Sequence, residues 1–91
     1  MNFAKIYDHD KLAISASTFT AGEEKVYTFT FDFAVESIIS IRDFDYFYHY
    51  IDVEDWSISG NQVSITLKNS ASLPYSNYAG LLFCSVSGSY V

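Results

Sequence analysis

"VYTFTFDF", residues 26–33, is the stretch that decides the fold class. Tyr27, Phe29, Phe31 and Phe33 fall on one side of an extended chain, and Thr28, Thr30 and Asp32 fall on the other. Strict period two over this length predicts a strand with one buried face. A helix would scatter the same four rings around its circumference and give them no common face.

The neighbouring segments read the same way. "SIISIRDF" (37–44) predicts a second strand with Ile39 and Ile41 on one face. Ile38 interrupts the polar face, so cover on both sides is expected. A turn is expected near Asp43–Asp45. "WSISGNQVSITL" (56–67) predicts a hairpin. Trp56 and Ile58 alternate before Gly60-Asn61, a pair suited to a tight turn, and Val63, Ile65 and Leu67 alternate after it. "NSASLPYSNY" (69–78) reads as a loop, because Pro74 has no backbone donor for a ladder. "AGLLFCSV" (79–86) is apolar on both faces, the signature of a central strand. Towards the N-terminus, "TAGEEK" (20–25) is a loop in which Gly22 permits positive φ, and "LAISAS" (12–17) alternates as a further strand. The expected fold is all-β: a compact antiparallel β-sandwich or small barrel of about six to seven strands. Residues 1–91 are expected to form a single domain.

Composition agrees and narrows the function classes. Eight Phe, eight Tyr and one Trp supply the bulk for a small core, each large ring burying ~150–250 Å². Five basic against eleven acidic residues give a net charge of −6. Every Asp and Glu lies at or before Asp55, and the stretch after Trp56 carries only Lys68. Nucleic-acid binding needs Lys and Arg to displace counterions from phosphates, so no nucleic-acid partner is expected. The start, "MNFAKIYDHDKL", has no apolar signal-peptide core, and no run reaches the length of a membrane span. Synthesis in the cytoplasm and no membrane partner are the corresponding expectations.

No enzymatic motif is present. His9 and His49 sit in no recognisable pattern, and there is no G-x-S-x-G or H-E-x-x-H. Cys84 is the lone cysteine, excluding an internal disulfide, and lies in an apolar strand that favours an inert thiol. Counting from Asp43 to Glu54 mimics a calcium loop, but Phe47 and Tyr48 stand where a ligand and a glycine are required. In "DHD" (8–10), an extended chain turns His9 away from both acids. The expectation is a non-enzyme with no cofactor and no metal.

"DYFYHYIDVEDW" (45–56) is the candidate site. As a strand it places Phe47, His49, Ile51 and Val53 on one face, and Tyr46, Tyr48, Tyr50, Asp52 and Glu54 on the other. The first row is core-like. The second is a tyrosine ladder running into carboxylates, which water-facing rings in cross-strand pairs would also explain. Three tyrosines on a solvent-facing row exceed what solubility requires, and Tyr offers rigid, amphipathic contact area. Tyr46, Tyr48, Tyr50, Asp52 and Glu54 are therefore the predicted protein interface. Tyr48→Ala is expected to leave folding intact and weaken a partner contact.

Across "VYTFTFDFAVESIISIRDF…DWSISGNQVSITL…AGLLFCSV" the chain resembles bacteriophage structural proteins. It is similar to the small N-terminal attachment domains of podovirus-type tail fibres. The elements concerned are Thr28–Phe33, Ser37–Arg42, Trp56–Leu67 and Ala79–Val86. The segment before the hairpin is longer and more aromatic than that pattern has. The resemblance implies a free-standing capsid-decoration, collar or tail/fibre adaptor protein of the virion. It would dock on other virion proteins, with a homo-oligomer plausible on symmetry grounds, and carries no catalytic residue. An alternative from the charge distribution is a small acidic inhibitor of a host nucleic-acid-binding defence complex, similar to an anti-CRISPR. A third is a lectin-like module, since Tyr or Trp beside carboxylates can hold a sugar.

Overall fold

The structure is a computed structural model and describes residues 5–45 and 50–89. Among these residues there are six strands and no helix: β1 (Lys5–Phe19), β2 (Glu24–Thr30), β3 (Ala34–Asp45), β4 (Ile51–Ser59), β5 (Gln62–Asn69) and β6 (Tyr75–Ser89). They form two three-stranded antiparallel sheets, ordered β1-β6-β3 and β2-β5-β4. The all-β antiparallel reading is correct, and β6 is central as its two apolar faces imply.

The aromatic strand behaves as its period dictates. Tyr27 and Phe29 lie opposite Ile65 and Val63, while Thr28 lies opposite Ser64 on the solvent side. The ladder of β2 ends at Thr30, but the alternation runs on: Phe31 and Phe33 are buried and Asp32 is exposed. Phe31 exchanges hydrogen bonds with Asn61 in the hairpin turn, accepting from its side chain and donating to its carbonyl. Those bonds carry the chain from one sheet to the other. The two-residue turn itself sits at Gly60, with φ of 60°.

The core is the layer between the sheets. Phe29, Val63, Ile65 and Leu67 come from one side, and Ile14, Leu82, Cys84 and Val86 from the other. Phe31, Phe33 and Val35 seal one end. There the Phe33 ring lies against the backbone of Gly88, where any Cβ would meet that ring and the Ala34 carbonyl. Phe19 and Tyr78 seal the other end, ring edge against ring face at 5.5 Å.

Four sequence expectations fail, each for a local reason. Residues 75–78, read as loop, are the start of β6, because Pro74 lies just ahead of the strand and not within it. Ile39 does not share a face with Ile41. A bulge falls between Ile38 and Ser40, so Ile38 and Ile41 pack inward while Ile39 is thrown out to solvent. No turn interrupts residues 43–45, because β3 continues through Asp45 opposite Gly80. And β1 begins at Lys5, well before "LAISAS", so "DHD" is itself strand. Its acids are tolerated because β1 is an edge strand and both Asp8 and Asp10 reach water.

Candidate protein interface

β4 is an edge strand, bordering its sheet on the side away from β2. Ile51 and Val53 face inward opposite Asn69 and Leu67, as the row assignment predicted. Asp52 faces solvent opposite Lys68. The row then breaks. A bulge between Val53 and Asp55 takes up Glu54, so the inward positions change from odd to even numbers. Trp56 and Ile58 thereby stand opposite Ile65 and Val63, on the core side of their sheet.

Their burial does not match that position. Ile65 and Val63 are fully buried, while Trp56 is 56% and Ile58 39% exposed. Part of the core face is therefore open to water at this strand. The Val35 N–H donates to the Gly60 carbonyl at 3.0 Å, so β3 and β4 run side by side from that point. The exposed Ile39 belongs to this neighbouring strand. Along the same strand Asp52, Glu54 and Asp55 are all exposed, and none forms an ion pair with a described residue. Asp55 has a local duty, since its carboxylate accepts the Trp56 backbone N–H at 2.8 Å.

Of the five predicted interface residues, Tyr46 and Tyr48 lie outside the described residues, as do Phe47 and His49 of the opposite row. Tyr50 is exposed just ahead of β4, and Asp52 and Glu54 are exposed on it. Glu54 does not continue the Tyr50–Asp52 row, because it occupies the bulge. The sequence reading missed Trp56 and Ile58 as surface residues. Their alternation correctly reports the core side of the strand but not how other strands pack over it.

Beside Tyr50 the chain builds a second concave feature. The 70–74 loop is anchored by Asn69, whose fully buried side chain donates to the carbonyls of Phe19, Thr20 and Leu73 at 3.0–3.3 Å and accepts the Ala71 N–H at 3.0 Å. The Ser70 N–H and hydroxyl both donate to the Tyr50 carbonyl, at 2.8 and 3.0 Å. Between Tyr50 and this loop lies an open cleft of about 670 Å³.

Elsewhere the chemistry is quiet. Among the described residues no group of His, Cys, Asp and Glu is placed to hold a metal ion. Cys84 is buried in β6, and burial, with a smaller contribution from the Asp10 charge, pushes its thiol up to about 11. Such a thiol is protonated and unreactive at neutral pH. Among the described residues no helix is long and apolar enough to cross a membrane. Compared with protein-family models, curated proteins and solved structures, the chain matches none.

Proposed function

We propose that this chain is a non-catalytic docking domain of a bacteriophage particle, a decoration, collar or tail/fibre adaptor protein that seats on another virion protein through β4. The observation that carries the docking reading is the uncovered core face at Trp56 and Ile58. A buried-side Trp left half in water is the residue type and setting from which interface hot spots are made. Exposed acids precede it on the same strand, and polar surroundings are what such a patch needs in solution. The assignment to a virion rests on the strand pattern and its resemblance to tail-fibre attachment domains.

The test has two parts. Particles are purified and their proteins identified by mass spectrometry, with the chain expected among them. The partner is then titrated with wild type and Trp56→Ala, and affinity is expected to fall roughly ten-fold or more. Absence from particles sinks the virion assignment, and unchanged affinity sinks the site.

A second reading is favoured by the exposed Asp52, Glu54 and Asp55, none in an ion pair with a described residue, together with the −6 net charge: an acidic inhibitor of a host defence complex, engaging a basic groove. The two readings diverge with salt. A contact centred on Trp56 and Ile58 holds at moderate ionic strength, whereas one steered by exposed carboxylates is screened.

A further inference from the structure

We propose that the cleft between Tyr50 and the 70–76 segment binds a neutral carbohydrate, independently of the β4 docking surface. The cleft is lined by Tyr50, Leu73, Pro74 and Tyr75, with the serines Ser70, Ser72 and Ser76 among them. Its volume of about 670 Å³ falls within the range of small-ligand sites.

Three observations point to this ligand class. The first is preorganisation. Loops at a surface are ordinarily mobile, but this one is clamped by Asn69 from within and by the paired Ser70–Tyr50 bonds at its rim. A site fixed before binding loses less entropy when a ligand arrives. The second is exposure without structural cause. Leu73 is 72% and Tyr50 53% exposed although the backbone holding them is fixed. The third is the chemistry of the lining. Among the described residues no lining side chain carries a charge at neutral pH, and every one with a polar atom is a hydroxyl. A hydroxyl both donates and accepts, which matches the hydroxyls of a sugar. Tyrosine rings supply the flat apolar surface on which the C–H face of a pyranose rests. Among the described lining residues, phosphorylated or carboxylated ligands find no cation and basic peptides find no carboxylate.

The probe is a panel of three neutral trisaccharides built from glucose, galactose and N-acetylglucosamine, added at millimolar concentration to the isotope-labelled full chain. NMR shifts are expected at the amides of Tyr50 and residues 70–76 for at least one of them. They are expected to vanish in Tyr50→Ala and in Leu73→Ser, both at exposed positions, and to persist in Trp56→Ala. That last variant separates this site from the docking surface, so either can fail alone. The proposal is overturned if no trisaccharide shifts these amides, if the shifts survive both cleft variants, or if a polyproline peptide occupies the cleft while the sugars do not.

Discussion

Phe31 shows how one side chain reports the whole core. It is buried at the crossing between the sheets, tilted against Phe33 at 5.8 Å between centroids. Phe31→Ala removes a ring that nothing nearby can replace. Such truncations cost ~3–5 kcal/mol, a large share of the stability of a domain this small. Urea denaturation will measure the loss, and a much smaller value would mean that the sheets can close over the gap. Cys84 makes a different prediction. Its folded-state thiol holds its proton up to about 11, while in the unfolded chain it ionises near the ordinary thiol value. Below that value both states are protonated and stability is unaffected. Above it the unfolded state loses its proton first, so stability falls as pH rises towards about 11. Denaturation curves on either side of this window should show the fall, and Cys84→Ala should remove its share. The period-two row that places Phe31 in the core and the apolar run that buries Cys84 were legible in the sequence, because both patterns depend only on the chain itself. The exposure of Trp56 was not legible, because it depends on how other strands pack over β4.

The edge strands need separate attention at the scale of elements. Each presents backbone donors that a foreign strand could use. On β1 the Asp8 carboxylate accepts the His9 N–H and the Asp10 carboxylate accepts the Lys11 N–H, both at 2.8 Å. On β4 Asp55 does the same for Trp56. Each acid therefore occupies a donor that would otherwise be offered along the edge. Replacing Asp8 and Asp10 together by Ala is expected to leave the fold intact and raise self-association, visible as a concentration-dependent mass in light scattering; a strictly monomeric double variant would show that the caps are dispensable. At the far end of β1, Lys5 pairs with Glu36 at 2.8 Å, and Glu36 also accepts from Ser89. Glu36 can span three strands because a bulge between Val35 and Ser37 displaces it from the ladder. Bulges also explain most of what the sequence concealed in β3 and β4. An inserted residue resets the face assignment, and nothing in "SIISIRDF" or "DVEDW" marks which residue is extra. The Gly60-Asn61 turn was legible because its backbone conformation demands particular residues.

As a whole the molecule is drawn out, measuring 54 × 19 × 16 Å. Its radius of gyration of 14.8 Å exceeds the roughly 12 Å of a rounder chain of this length. The cause lies in β1 and β6, each 15 residues long and so about 50 Å when extended. Composition and strand pattern made the fold class legible, but not this length. "KIYDHDK" disguises strand as a charged leader, since an edge strand needs few apolar residues. Of the carboxylates and tyrosines read as surface chemistry in "DYFYHYIDVEDW", Tyr50, Asp52 and Glu54 are exposed, and Tyr46 and Tyr48 lie outside the described residues. The cleft beside Tyr50 was hidden because its other wall comes from a segment some twenty residues later, brought there by Asn69.

The pairing of Lys5 with Ser89 sets both ends of the described chain at one pole, with the Tyr50 cleft towards the other. This arrangement makes the protein mechanically anisotropic. A force that draws the two ends apart acts across the β1–β6 ladder and opens its bonds one after another, like a zipper. A force between either end and the 70–74 loop runs along the strands and loads many bonds together. In a single-molecule pulling experiment the first geometry should yield at clearly lower force than the second. A protein held at that pole and loaded at its cleft would meet tension along its stronger axis.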